Sequence, residues 1–160
     1  MNTAVPWLLL LFRLFVGAIV VVLSPYSIVV SRGGLIAPHD WSLMLMGGVL
    51  IACGTIAYFR SIWDFTSFAP TSVIAAGVYR QVRNPMYLGL VLILAGQTVL
   101  LALPVLAAYT ATIWLTLHLL VLLYEEPAMA RRFGAPYTAY RSDVPRWLPR
   151  MRFVHRPPHG

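Results

Sequence analysis

Apolar residues fall along this chain in long, nearly unbroken runs separated by short polar or turn-rich stretches. A helix needs about 20 apolar residues, rising about 1.5 Å each, to cross a bilayer. Four segments approach that length. The first runs roughly from Val5 to Val30, with Pro25 expected to kink or end it. The second runs from Trp41 to Trp63, and the third, short but nearly continuous, from Met86 to about Leu103. The fourth follows from Pro104 to Tyr124, so closely that helices three and four should form a tight antiparallel hairpin. A turn-rich loop (31–40, with Gly33, Gly34 and Pro38) and a longer one from Asp64 to Pro85 complete the core. After Tyr124 the chain turns polar, giving a short helical stretch and then an arginine-rich tail. The pattern predicts an all-α integral membrane protein: four transmembrane helices plus a short C-terminal interfacial helical segment, in one domain over 1–160.

Composition strengthens that reading. The chain is 59% hydrophobic and 11% charged over 160 residues, more apolar surface than a soluble domain of this size can bury. All twelve basic residues are arginine, against five acids, for a formal charge of +7. These arginines lie beside apolar segments, which fits lipid headgroups and membrane topology and argues against a nucleic-acid partner. The single Cys53 sits in an apolar stretch and reads as an inert thiol, without a disulfide framework or metal cluster. No basic region precedes the first apolar run and no small-residue cleavage site follows it, so it reads as a retained helix and not a signal peptide.

Arg60, Arg80 and Arg83 flank the second loop, and Arg131, Arg132, Arg141, Arg146, Arg150, Arg152 and Arg156 follow helix four. With four spans these regions share a face with the N-terminus, while the opposite face carries Arg32. Both termini are therefore expected in the cytoplasm, across a plasma membrane of bacterial type. The same topology brings the start of helix three beside the end of helix four.

Those two places carry the unusual residues. One is Gly77-Val-Tyr-Arg-Gln-Val-Arg-Asn-Pro-Met-Tyr-Leu-Gly89. The other is Tyr124-Glu-Glu-Pro, followed by Arg132-Phe-Gly134, Tyr137, Tyr140 and Val144-Pro-Arg-Trp-Leu-Pro149. In this combination the chain resembles the isoprenylcysteine carboxyl methyltransferase and phospholipid methyltransferase superfamily of membrane enzymes, over about Gly77 to Pro149. In that family the first motif usually reads Arg-His-Pro-x-Tyr and helps to bind S-adenosylmethionine at the cytosolic helix ends. Arg83, Pro85, Tyr87 and Gly89 match it, while Asn84 replaces the histidine. Asparagine keeps hydrogen-bonding capacity but cannot act as an imidazole acid or base. The resemblance therefore carries cofactor binding to this position, not proton transfer.

The residues suit such a cofactor on their own chemistry. S-adenosylmethionine presents an ammonium, a carboxylate, a sulfonium and an adenine. Glu125 or Glu126 can meet the cationic end, Arg83 or Asn84 the carboxylate, and Tyr87 can wall the purine. Pro85 suits the first turn of helix three, whose free N–H groups favour an anion. Taken with what the resemblance implies for the motif and for the C-terminal segment, Arg83, Asn84, Pro85, Tyr87, Leu88, Gly89, Glu125, Glu126, Tyr137 and Arg141 are the candidate cofactor contacts, and Glu125 and Arg146 the candidate catalytic groups. Adjacent helical residues point about 100° apart, so one glutamate should face the site while the other pairs with an arginine such as Arg131 or Arg132. Acids at the end of a helix oppose its dipole, which favours a functional role for at least one of them.

Other polar residues read more plainly. His118 is expected to be a hydrogen-bonded packing histidine, with a functional role as the alternative. Arg13 is expected to snorkel to the interface, with a substrate-facing role as the alternative, and Gln97 is expected to make an interhelical hydrogen bond. Gly89 and Gly96 form a small-residue stripe suited to close helix packing, though Gly89 could equally make room for a cofactor. Phe133, Tyr137, Tyr140 and Trp147, interleaved with arginines, suit the bilayer surface. Under the resemblance this segment also closes over the cofactor.

Methyl transfer from a sulfonium is an in-line displacement that asks for alignment and exclusion of water, without a metal. The expected acceptor is a lipophilic small molecule entering between the helices, an isoprenoid-like carboxylate slightly ahead of a phospholipid amine or a thiol. Two other readings remain: a nicotinamide-dependent membrane reductase of the sterol reductase type, and a non-catalytic membrane scaffold.

Overall fold

The structure is a computed structural model that describes residues 17–31, 40–67 and 77–149. The expectations for Val5 to Val16, Arg13, the turn residues Gly33, Gly34 and Pro38, Arg32 and the tail from Arg150 lie outside those residues. Among the described residues every regular element is a helix: α1 (Ile19–Ser31), α2 (Trp41–Ser67), a 3-10 turn (Gly77–Arg80), α3 (Pro85–Leu101), α4 (Pro104–Phe133) and α5 (Ala135–Asp143). Two of them are long and apolar enough to cross a membrane, at Trp41–Phe65 and Pro104–Phe133. The described part of α1 and the whole of α3 are apolar but shorter, so the expected count of four is met by two.

Only 17% and 11% of the most apolar windows of α2 and α4 are buried inside the protein. A core helix would bury its apolar residues; here Trp41, Leu45, Phe59, Trp63, Leu115 and Leu123 face outward. Water would penalise that surface by about 25 cal/mol for each Å², whereas lipid does not.

Local chemistry explains the helix boundaries. Asp40 opens α2 by accepting the Ser42 N–H (2.9 Å) and hydroxyl (2.7 Å), satisfying one of the free donors of a helix start. The helix runs past Trp63 to Ser67, so Asp64 belongs to its last turns and not to the loop. Pro85 and Pro104 occupy the first turns of α3 and α4, where a missing N–H costs nothing. Between them Ala102 takes a left-handed conformation (φ 49°), ending α3 and making the tight hairpin that the near absence of a linker predicts.

Two helices continue past a proline: Pro25, expected to kink or end the first, does not end it, and Pro127 lies within α4 beyond its expected limit at Tyr124. A π turn, Ile19–Leu23, precedes Pro25, and the helix continues to Ser31. A second, Val121–Glu125, precedes Pro127 and carries α4 on to Phe133. Glu125 and Glu126 therefore lie inside a continuous helix, and the dipole penalty expected for acids at a helix end does not apply. In α1 the displaced backbone is used: the Val20 carbonyl accepts the Tyr109 hydroxyl (2.9 Å), and Val21 accepts Gln97 Nε2 (2.9 Å). Gln97 thus makes its interhelical bond, tying α1 to α3 while Tyr109 ties it to α4.

The densest contact is between α2 and α3. A Cβ on Gly54 would come within 2.7 Å of the Gly89 carbonyl, and one on Gly89 within 2.8 Å of the Gly54 carbonyl. Gly47 and Gly96 face each other the same way, at 2.8 and 2.7 Å. Both glycines of the α3 stripe therefore serve helix packing, each matched by a glycine seven residues from its counterpart on α2. Leu90, Ile93 and Leu94 fill the adjoining core with Tyr58 and Val21.

Candidate functional site

At one end of the bundle, the segment entering α3, the π turn of α4 and helix α5 enclose a cleft of about 130 Å³. Asp64 of α2 braces the segment that leads to it: buried, it accepts the Val78 N–H (2.8 Å) and holds the 3-10 turn in place. Gly77 allows this approach, since its φ of +54° is left-handed and any side chain there would strike the Asp64 carboxylate. Tyr140 of α5 then donates to the Tyr79 carbonyl (2.8 Å), closing the turn against α5. Burial pushes the Tyr140 phenol well above its ordinary range, and Tyr137 is raised first by burial and then by the Glu126 charge. Both phenols therefore stay neutral.

The two glutamates divide sharply. Glu126 is buried and holds the cations: Arg146 binds it with Nε on Oε1 (2.7 Å) and Nη2 on Oε2 (2.9 Å). Arg83 Nη1 lies 2.9 Å from Oε1, and Arg141 approaches Oε2 at 3.9 Å. The paired bonds to Glu126 raise the Arg146 pKa further. Glu125 instead accepts the Tyr87 hydroxyl at 2.5 Å and faces the cleft. One glutamate pairs with arginines, as adjacency predicts, but the partners are Arg83, Arg146 and Arg141. Arg131 and Arg132 are exposed, with Arg132 over the Phe133 ring at 5.1 Å.

The tail latches onto the same corner. The Arg83 N–H donates to the Pro145 carbonyl (2.9 Å) and Asn84 Nδ2 to the Arg146 carbonyl (3.3 Å). Trp147 Nε1 donates to His118 Nδ1 (3.0 Å), and His118 stacks on Trp114. His118 is thereby a packing residue that anchors the tail to α4. Trp147 is half-buried against it, so its indole serves the tail's attachment.

Of the expected contacts, Arg83, Asn84, Pro85, Tyr87, Glu125, Glu126 and Tyr137 line the cleft. Leu88 and Gly89 do not; Gly89 instead faces α2, packed against the Gly54 carbonyl and Tyr58. Arg141 and Arg146 are also absent from the lining, being drawn to the outer side of Glu126. Phe65, Tyr79, Met86, Val121, Met129 and Tyr140 complete the wall. Tyr140 had the look of an interfacial residue, whereas Phe65 and Met129 offered no signal beyond apolarity.

Arg83 has a further property. Its side chain is 10% exposed, and its Nε and Nη1 have no hydrogen-bond acceptor among the described residues despite the close charge of Glu126. A buried guanidinium with spare donors at a cleft is suited to an anionic ligand group.

The family model for phospholipid methyltransferases matches residues 42–136, more than half of the chain. The chain belongs to the phospholipid methyltransferase family. The match reaches back through α2, further than the motifs around α3 and α4 indicate, and stops before the tail from Val144. Membership makes the chain a methyltransferase, and with the two exposed apolar helices a membrane protein. A comparison with curated proteins gave no match. In this methyltransferase the cleft gathers Arg83, Pro85 and Tyr87 of the family motif, and the glycine seam lies within the matched region.

Proposed function

We propose that the protein transfers a methyl group from S-adenosylmethionine to a lipophilic small-molecule acceptor held at the membrane. The observation that carries this is the pairing, in one aromatic cleft, of a carboxylate facing inward (Glu125) with a buried guanidinium that has spare donors (Arg83). A zwitterionic amino-acid moiety needs that combination. Glu125 would take the ammonium and Arg83 the carboxylate, while Tyr79, Tyr137 and Tyr140 wall the adenine. Glu126, with both oxygens occupied by arginines, orients Arg83 and the tail.

The bound cofactor supplies an electrophilic methyl on a positively charged sulfur. The chain's own task is to hold donor and acceptor in line and keep water out. Glu125, fixed by Tyr87, offers negative charge to the cationic cofactor; Met86, Val121 and Met129 provide an apolar wall for the acceptor. The isoprenoid-like carboxylate remains the first acceptor to try, followed by a phospholipid amine.

In the bilayer we infer four spans. α3 has 17 residues, about 25 Å of helix, and is lengthened at the cleft end by the segment from Arg83. Both termini and the cleft would face the cytoplasm, where the arginines concentrate. Cysteines placed singly in the tail should resist an impermeant reagent applied outside intact cells; labelling from outside would reverse the orientation.

The deciding experiment is calorimetric titration of the purified protein with S-adenosylmethionine and, in parallel, NADPH. Binding of the former, weakened in Glu125→Gln and Tyr87→Phe, supports the transferase. Binding of NADPH alone would favour a reductase, and binding of neither by folded protein a scaffold.

A further inference from the structure

Adjacent residues on an α-helix point about 100° apart, yet Glu125 and Glu126 both line the cleft. The departure from regular geometry lies immediately before them. Over Val121–Glu125 the helix widens to a π turn, and the Glu126 N–H bonds back to the Val121 carbonyl, five residues earlier. A π turn holds one residue more than an α turn in the same stretch. It therefore rotates everything downstream by one residue's share of a turn.

Pro127 follows directly. Its ring would clash with the Leu123 carbonyl in a regular helix and it has no N–H to offer. The same register recurs in α1, where the Ser24 N–H bonds to the Ile19 carbonyl and Pro25 follows. Two unrelated stretches of sequence, IVVVL-Ser-Pro and VLLYE-Glu-Pro, thus resolve a proline within a helix in one way. In α1 the outcome is interhelical bonding; in α4 it is the aim of two carboxylates.

We propose that Pro127 is a positioning residue: by imposing the π turn it fixes the rotation of α4 at which Glu125 reaches Tyr87 and the cleft while Glu126 reaches Arg83 and Arg146. As far as cofactor binding is concerned, this rests on the cleft being the S-adenosylmethionine site. The rotation itself does not. Releasing the turn without shortening the helix turns both glutamates away. Removing one residue from the turn together with the proline gives a straight helix whose downstream face returns to its original direction. Leu123 is the residue to remove, being exposed and within the turn.

The test compares wild type, Pro127→Ala, and Pro127→Ala with Leu123 deleted, each with and without Glu126→Gln. Thermal unfolding and S-adenosylmethionine titration are measured on the full chain in lipid nanodiscs. Pro127→Ala should lose about tenfold to hundredfold in affinity, the loss of a charge-assisted contact, and the deletion should recover most of it. Glu126→Gln should lower the unfolding temperature of wild type and of the deletion variant but leave Pro127→Ala nearly unmoved, its ion pairs being already broken. A deletion variant no more stable and no better at binding than Pro127→Ala overturns the proposal. So does an equal cost of Glu126→Gln in all three backgrounds. If wild type binds no S-adenosylmethionine, the reading of the cleft falls, and the unfolding temperatures alone still judge Pro127.

Discussion

The seam between α2 and α3 and the cleft at the end of α4 are held together by opposite means. In the seam Gly47, Gly54, Gly89 and Gly96 remove side chains altogether, and backbone meets backbone. Without water to drive apolar groups together inside a membrane, close van der Waals contact is what remains. At the cleft one buried carboxylate gathers three guanidiniums from three places: Arg83 before α3, Arg141 in α5 and Arg146 in the tail. The seam is rigid because nothing there can be added. The cleft corner is ordered because nothing there can be taken away without leaving charge unpaired.

That contrast is open to direct test. Removing the hub should cost most: Glu126→Gln leaves Arg83 and Arg146 without their counter-charge. Breaking a buried pair costs about 3–5 kcal/mol. Thermal unfolding should show a loss of that order, accompanied by loss of cofactor binding; a drop smaller than that of a seam variant would invert the comparison. Next, Gly96→Val places methyls against the Gly47 carbonyl. It should destabilise by at least the about 1–3 kcal/mol of ordinary overpacking, and an unchanged unfolding temperature would mean that the seam is not tight.

Tyr87→Phe separates binding from folding at the cleft. It removes the hydroxyl on Glu125, so titration should record about a tenfold weaker S-adenosylmethionine affinity with little change in unfolding temperature. Smaller again, Trp147→Phe deletes the bond to His118 and should lower stability by about 1 kcal/mol, loosening the tail's hold on Asn84 in hydrogen exchange. Smallest of all, Leu115→Ala on the outward face of α4 should stay within about 0.5 kcal/mol; a larger loss in nanodiscs would indicate a protein partner on that face.

The starts of α2, α3 and α4 were legible to within a residue because their signals are local, whereas α4 runs on past its expected limit at Tyr124 to Phe133. Continuous apolarity marked the spans, Pro85 and Pro104 the starts, and the missing linker the hairpin. Of the cleft, the sequence named Arg83, Asn84, Pro85, Tyr87, Glu125, Glu126 and Tyr137, since charged and aromatic residues beside apolar runs are conspicuous. It also named Leu88 and Gly89, which share the motif but do not line the cleft, Gly89 being packed against Gly54 of α2. Phe65 and Met129 escaped notice because an apolar residue near the end of a membrane helix looks the same whether it meets lipid or a ligand.

What the sequence determined alone, then, is the apolar all-helical character, the approximate helix limits and the two stretches that carry the chemistry, all consequences of composition and short-range stereochemistry. The tertiary structure decided the rest. It chose Glu126 as the ion-pair hub and Glu125 as the cleft-facing acid, directed Arg146 to the outer side of the site, and matched each glycine of α3 with one of α2. Those outcomes depend on rotation about helix axes and on contacts between residues up to 62 positions apart, as between Asn84 and Arg146. A single π turn changes that rotation without altering the hydrophobic pattern, so no reading of the pattern could have placed the two glutamates.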